Sequence, residues 1–166
     1  GKPDSTLRPN QLFAISLPFP LIEGDKSKAI LKITEEKLYT PVGLRSLPSG
    51  DGHYVSHYGG DQWHRDSAYH QGTVWSWLLG AYVDALAKSN YPASEIKSVI
   101  ESFRYHLNEA CIGQVSEIFD ADAPHHPRGC VAQAWGVAEL LRIIKEYELY
   151  ETGNTVVKRK KTTAAG

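Results

Sequence analysis

The stretch "VWSWLLGAYVDALA", Val74–Ala87, is apolar at nearly every position. At 3.6 residues per turn its apolar residues lie on almost every side of a helix, which is typical of a helix buried all round. Glu95–Ala110 instead places its apolar residues on one stripe and its charged residues on the other side, a pattern that indicates a helix packed by one face. These two segments predict an inner and an outer helix.

The same two patterns alternate along the chain. Gln11–Leu17 and Val131–Ile144 are mostly apolar and predict further inner helices, whereas Lys26–Leu38 has a narrower stripe and predicts an outer one. The stripe of this outer helix consists of Ala29, Ile30 and Ile33. Strand patterns are poor throughout, so the sequence predicts an all-α fold. Stacked inner and outer helices form an α-solenoid or, if the stack closes, a toroid of two concentric rings.

Composition limits the class of protein. The 166 residues are 42% hydrophobic and carry 18 basic and 19 acidic residues, for a formal net charge of −1. This chain can bury a core, and its balanced charge favours neither nucleic acid nor an anionic membrane as a partner. We expect residues 1–150 to form one structural unit and residues 151–166 to be a flexible polar and basic tail.

The cellular location is predicted from the small number of cysteines and from the lack of membrane-helix and signal-peptide patterns. Two cysteines, Cys111 and Cys130, are too few for a disulfide framework. No apolar run reaches the roughly 20 residues of a membrane helix, and the first residues lack a signal-peptide pattern. The chain is therefore expected to be soluble and cytoplasmic.

A polar or aromatic segment precedes each predicted inner helix, at residues 1–10, 59–72 and 113–129. If the inner helices run parallel in a ring, these segments meet at one end. Their acids and aromatic rings suit a sugar, whose C–H faces stack on rings, and two carboxyl groups there would permit glycoside hydrolysis. The acidic candidates are Asp4, Asp61, Asp66, Glu117, Asp120 and Asp122, and the aromatic candidates are Trp63, Tyr69, Trp75 and Phe119.

Each of these residues also has a structural interpretation. Trp75 and Trp77 lie in a helix predicted to be buried, where tryptophan is more often core than a binding platform. Asp66 follows Arg65 and is equally well interpreted as a helix cap or as half of an ion pair. Glu117 lies in an apolar stretch and could be a hydrogen-bonded structural acid.

Metal and cofactor sites are not predicted. The histidines show no HExxH spacing, the cysteines show no CxxC spacing, and Gly-rich phosphate loops are missing. We therefore expect the loop histidines to be solvated and expect neither a metal nor a cofactor. The histidines concerned are His53, His57, His64, His70, His125 and His126.

Four longer motifs carry a family resemblance. They are "DSTLRPNQLFAISLP" (4–18), "TPVGLRSL" (40–47), "RDSAYHQGTVWSWLLGAYVDA" (65–85) and "SEIFDADAPHHPRGCVAQAWGVAELLR" (116–142). Together they resemble the carboxyl-terminal amylo-α-1,6-glucosidase domain of glycogen debranching enzymes, and the likeness extends from Asp4 to about Leu149. One departure is Ser76, where the family commonly has proline.

The resemblance implies the carboxyl-terminal half of a glucoamylase-like (α/α)6 toroid. It implies that Glu117 is the general base of an inverting hydrolysis, with the general acid on an aspartate of an upstream "WMDA"-like segment that this chain lacks. The upstream half of the same polypeptide is then an expected partner. The isolated chain is expected to associate or to be unstable, and to lack debranching activity.

The resemblance also suggests a sugar-binding wall. Tyr69, His70 and Gln71 are expected to contact glucose where the chain enters the inner helix, with Gly72 allowing close backbone approach. Trp75 is expected on the floor of the site, and Asp66 is a further substrate-binding candidate. The implied substrate is glycogen or limit dextrin, from which an α-1,6-linked glucose stub is removed without a cofactor.

Two other functions remain open at this point. Another toroidal glycosidase, such as a trehalase or glucoamylase relative, would share the "HQGTVW" segment but should lack the full "SEIFDADAPHHPRG" stretch. A non-catalytic carbohydrate-binding module would bind glycogen saturably and would lose no activity on Glu117→Gln.

Overall fold

The structure is a computed structural model that describes residues 4–150. The predicted tail, 151–166, lies outside the described residues. The helices are α1 (Phe13–Ser16), α2 (Asp25–Lys37), α3 (Gln62–Ala68), α4 (Leu78–Lys88), α5 (Ala93–Phe103) and α6 (Ala134–Glu146), with 3₁₀ turns at Pro9–Leu12 and Arg104–Asn108. The strands are β1 (Tyr39–Thr40), β2 (Gly43–Arg45), β3 (Val74–Trp75), β4 (Ile118–Phe119) and β5 (Pro127–Arg128).

Helix α4 is the centre of the core, as its sequence predicts. Leu79, Val83 and Leu86 are at most 4% exposed, and α4 packs against α1, α2, α5 and α6. The helix nevertheless begins at Leu78, because Val74 and Trp75 belong to a strand. Apolar residues that are buried on both sides do not reveal from sequence whether they are helical or extended.

A small sheet corrects the all-α prediction. Within residues 4–150, five antiparallel strands pair in chain order from β1 to β5. In the register of this sheet Trp75 lies between Leu44 and Ile118, and Ile118 also pairs with Arg128. Strands of two or three residues are too short to show an alternating pattern, and long-range pairing alone defines them.

The outer helices follow their patterns to different degrees. Helix α5 buries Ile96, Val99, Ile100 and Phe103, which are the predicted stripe residues. The stripe predicted for α2 is displaced, since Ala29 is exposed. The buried residues of α2 are Ser27, Leu31 and Thr34. Small polar residues share the buried side of α2, so a search for apolar residues alone misplaces that side.

Helix α6 begins at Ala134, three residues later than its apolar pattern suggests. Ile143 is buried, whereas Trp135 and Leu141 are 45% and 61% exposed. The prediction of a helix buried all round is therefore wrong for α6 in the part of the molecule that the structure describes.

Among the helices of residues 4–150, none combines the length and apolarity needed to cross a membrane.

Candidate active site

The sheet brings the chemically interesting segments together. Trp75 lies on β3, Glu117 directly precedes β4, and Arg128 ends β5. Because these strands are hydrogen-bonded neighbours, residues more than forty positions apart in sequence lie side by side. The convergence predicted for a ring of helices is thus produced locally by the sheet.

Glu117 presents a half-buried carboxylate at this edge. Its Oε1 accepts a hydrogen bond from the Tyr69 hydroxyl, and its Oε2 accepts one from the Cys130 backbone N–H at 2.9 Å. None of the ion pairs found within residues 4–150 includes Glu117. Two neutral donors therefore orient the carboxylate, and no cation of the described residues forms an ion pair with it.

Gly129 makes room for this carboxylate. Its φ of +65° is in the left-handed region that glycine tolerates, and a Cβ there would lie 2.5 Å from Oε2 of Glu117. The backbone N–H of Glu117 also donates to the Cys130 carbonyl at 2.9 Å. The turn after β5 thus holds both the main chain and the side chain of Glu117, which sequence reasoning did not reveal.

Tyr69 keeps its proton next to this acid. Burial raises the pKa of Tyr69 most, and the hydrogen bond to Glu117 and the charge of Glu117 raise it further. The ring packs 5.9 Å from Tyr58 and 4.8 Å from Trp75, measured between centroids. The predicted contact residue Tyr69 is therefore fixed as a hydrogen-bond donor to Glu117.

Trp75 and His70 form a stacked pair behind Tyr69. Their rings lie 5.2 Å apart with an interplanar angle of 7°, and the Trp75 indole N–H donates to the Tyr69 carbonyl at 3.2 Å. Trp75 is only 6% exposed. It supports the backbone of Tyr69, and direct contact between Trp75 and a sugar stays a prediction.

Gln71 is held by an arginine that sequence reasoning did not select. Nη2 of Arg8 donates to Oε1 of Gln71 at 3.0 Å, while Nη1 donates to the carbonyls of Ser46 and His70. This leaves the amide N–H groups of Gln71 as the donors that remain for a ligand. Arg8 lies in the first of the family-like motifs, and that was the available signal.

Gly72 has a different role from the one predicted. A Cβ on Gly72, whose φ is +132°, would lie 2.5 Å from the Val55 carbonyl. The close approach is therefore to another segment of the protein, and the chain enters strand β3 after Thr73 instead of a helix.

Asp66 is not the cap of a helix. The N-cap of α3 is Asp61, whose Oδ1 accepts the His64 backbone N–H at 3.0 Å. Asp66 is exposed on α3 and makes no side-chain hydrogen bond or ion pair within residues 4–150. The structure does not join it to the Glu117–Tyr69 pair, so substrate binding by Asp66 remains a prediction.

Asp120 is the centre of a second polar cluster. Its carboxylate, 5% exposed, accepts the Tyr58 backbone N–H at 2.8 Å and three hydrogen bonds from the Arg128 guanidinium, and it contacts Nδ1 of His57 at 2.9 Å. Burial alone would raise the pKa of Asp120, but the hydrogen bonds from Arg128 and Tyr58 and the nearby charges lower it overall. We call these four residues the Asp120 cluster.

Two other acidic candidates accept hydrogen bonds from residues outside the Glu117–Tyr69 pair. Asp4 accepts the Thr6 backbone N–H at 2.9 Å, and Asp122 accepts the Tyr54 hydroxyl at 2.6 Å. Burial, followed by the hydrogen bond to Asp122, raises the pKa of Tyr54 to about 12. Glu117 thus differs from its neighbours in its position beside Tyr69.

Most of the predicted histidines are exposed, as expected of solvated side chains, and His125 is partly buried. Some of them also have hydrogen-bond partners. Nδ1 of His64 contacts Asp61 at 2.6 Å, and Nδ1 of His125 contacts the Asp120 carbonyl at 3.0 Å. The part of the chain that the structure describes contains no group of three or more His, Cys, Asp or Glu side chains arranged to hold a metal.

Trp135 is a further aromatic residue that the candidate list omitted. It is 45% exposed, stacks on Trp77 with centroids 5.3 Å apart and meets Trp75 edge-on at 6.1 Å. It therefore extends the aromatic row from Tyr69 towards solvent. Trp77, which is predicted from sequence to lie in the core, is half-buried here.

Two comparisons with known proteins bear on the family of this chain. A family model described as amylo-alpha-1,6-glucosidase matches residues 1–142. The chain is also similar to a glycogen debranching enzyme of Saccharomyces cerevisiae, with 27% identity over 176 aligned positions that cover 91% of this chain. The chain spans 11% of the length of that relative. The matched residues include Tyr69, Glu117 and the sheet that joins them, and the chain belongs to the amylo-α-1,6-glucosidase family.

Proposed function

We propose that this chain supplies the general base and part of the glucose-binding wall of a glycoside hydrolase that removes α-1,6-linked glucose from glycogen limit dextrin. The observation that carries the proposal is the Glu117 carboxylate, held by the Tyr69 hydroxyl and the Cys130 N–H without a cationic partner in residues 4–150. The family match and the similarity to the yeast debranching enzyme support the same role.

The proposed chemistry is inversion. Glu117 accepts a proton from a water molecule, whose oxygen attacks the anomeric carbon of the terminal glucose. The bond from that carbon to the bridging oxygen breaks, and the bridging oxygen takes a proton from a second carboxyl group. That acid is expected on an upstream segment, and an inverting pair requires carboxyl groups roughly 6.5–9.5 Å apart.

The aromatic surroundings of Glu117 support a sugar substrate. Tyr69, the His70–Trp75 pair and Trp135 offer ring faces and edges to the C–H groups of a glucose unit. The amide of Gln71 lies beside them and offers N–H donors to hydroxyl groups. The rings and the Gln71 amide of this wall carry no fixed charge that would have to pair with a charged substrate. This agrees with a neutral glucan as the substrate.

We also propose that the domain completes an (α/α)6 toroid with upstream residues of the same polypeptide, in a cytoplasmic enzyme. The exposed apolar side chains Leu17, Val131 and Leu141 support a further packing surface. Cys111 and Cys130 are both free in the structure, which suits a reducing compartment.

Stereochemistry tests the proposed reaction. An enzyme that contains this chain should release β-glucose first from limit dextrin, as followed by proton NMR before mutarotation. Release of α-glucose would contradict inversion. Preferred hydrolysis of trehalose or maltose would favour another toroidal glycosidase, and saturable glycogen binding without hydrolysis would favour a binding module.

Tyr69→Phe tests the contact to the proposed base. Removing a hydroxyl that donates to a carboxylate should lower kcat by about tenfold, since hydrogen bonds to charged groups contribute roughly 1.5–3 kcal/mol. Tyr58→Phe is the matched control, because the Tyr58 ring packs on Tyr69 while its hydroxyl makes no hydrogen bond within residues 4–150. Steady-state kinetics on limit dextrin should show a lower kcat for Tyr69→Phe than for Tyr58→Phe. Equal losses of kcat in the two variants would contradict a role of the Tyr69 hydroxyl at the proposed base.

A further inference from the structure

His106 is a buried histidine that the proposed chemistry does not use. It lies in the 3₁₀ turn Arg104–Asn108, and its side chain is 1% exposed. The rings of Phe103 and Phe119 meet it edge-on, with centroids 5.5 and 4.6 Å away. A polar ring in such an enclosure is tolerated when its nitrogens are hydrogen-bonded.

Both ring nitrogens of His106 have partners of defined character. Nε2 lies 3.0 Å from the backbone nitrogen of Ser116, and Nδ1 lies 3.0 Å from Oε2 of Glu109. A backbone N–H can only donate, so Nε2 must be the unprotonated nitrogen. The ring proton is therefore on Nδ1 and is donated to the Glu109 carboxylate, which holds the imidazole in this tautomer.

Ser116 directly precedes Glu117, and its peptide groups are held from two sides. His106 accepts its N–H, while its carbonyl accepts the Ser76 hydroxyl at 3.2 Å. The next N–H, that of Glu117, donates to the Cys130 carbonyl. The main chain that carries the proposed base is thus fixed by a histidine from one side and by the β3 and β5 segments from the other.

We propose that His106 is a positioning residue for Glu117 and acts through the Ser116 backbone. The inference rests on the proposed role of Glu117 as general base. Without an acceptor at Nε2, the buried Ser116 N–H has no partner, and the adjoining residue can move to seek one. A displacement of about 1 Å in a reacting group can cost on the order of 100-fold in rate.

The test compares His106→Leu with His106→Gln in an enzyme that contains this chain. The Gln side-chain oxygen can take the place of Nε2 as an acceptor, whereas Leu only fills space. We expect kcat on limit dextrin, per folded molecule, to fall roughly 10- to 100-fold in His106→Leu with KM within about twofold of wild type. His106→Gln should recover most of that loss.

Leu31→Ala is the control for stability alone. Leu31 is 1% exposed in the core and makes no contact with Ser116 or Glu117 among the described hydrogen bonds and ring contacts. It should lower the unfolding midpoint while leaving kcat per folded molecule unchanged. Wild-type kcat in folded His106→Leu, or no recovery in His106→Gln, would overturn the proposal.

Glu109→Ala tests the same idea without a core substitution. The Glu109 side chain is 52% exposed, so its removal should not prevent folding. Loss of the tautomer constraint should lower kcat severalfold, whereas Glu36→Ala on the exposed side of α2 should not. If His106→Leu does not fold, an unchanged kcat in Glu109→Ala overturns the inference.

The two proposals fail differently. A fully active Glu117→Gln enzyme would remove the proposed function itself. An inactive Glu117→Gln enzyme together with normal kcat in the His106 and Glu109 variants would remove only the positioning role.

Discussion

Glu117→Gln is expected to lower kcat on limit dextrin by 10²- to 10⁴-fold in an enzyme that contains this chain. Glutamine keeps the size of the side chain but cannot accept the proton that an attacking water must lose, and general-base catalysis typically contributes a factor of this size. The measurement is steady-state release of glucose, with KM expected to change little because the aromatic wall is intact.

Two controls make the result specific. Glu36→Gln, on the exposed side of α2, removes one carboxylate and should leave kcat unchanged. Binding of limit dextrin to the Glu117→Gln protein, followed by tryptophan fluorescence, should remain saturable. More than a tenth of wild-type kcat in Glu117→Gln would rule out Glu117 as the base.

Asp120→Ala is expected to lower the free energy of unfolding of the chain by about 3 kcal/mol, at the lower end of the cost of breaking a buried ion pair because Arg128 is partly exposed. The substitution removes the acceptor for the Tyr58 N–H and for Arg128. The segment containing His57 and Tyr58 then keeps only weaker links to β5, such as the 3.3 Å contact between His57 and Arg128. Urea denaturation near neutral pH measures the change.

Asp122→Ala is the matched control for this stability effect. Asp122 is an exposed acid two residues away, with one hydrogen bond, from Tyr54. Its loss should cost about 1 kcal/mol or less. Equal costs for the two variants would contradict the central role of the Asp120 cluster.

The pH dependence of the Asp120 effect has a defined sign. Since the folded-state pKa of Asp120 lies below the ordinary value of 3.8, its contribution is present in full above that value and is lost as pH falls through the lower folded pKa. The stability difference between wild type and Asp120→Ala should therefore shrink in acid, and a difference that grows below pH 3.8 would contradict this.

The sequence allowed many residues of the candidate site to be predicted, but it did not predict the contacts between them. Glu117, Tyr69 and Gln71 were selected, and the structure gives each a defined place beside the sheet. Arg8 and His106 were missed. The contacts of Arg8 with Gln71 and with two main-chain carbonyls are long-range, and His106 reaches Glu117 only through the Ser116 backbone, so a local motif shows neither. The family resemblance assigned the base, whereas composition and spacing had left Glu117 open as a structural acid.

The sequence by itself determined two helices with strong apolar patterns, α4, which is apolar on nearly every side, and α5, which buries one stripe, because helical periodicity is a local property of the chain. It also determined family membership through several motifs in order. Only the tertiary structure decided that Val74 and Trp75 are extended, and that Glu117 lies between Tyr69 and Cys130. The physical reason is that two-residue strands exist through hydrogen bonds to distant partners, and such partners are set by the packing of the whole chain.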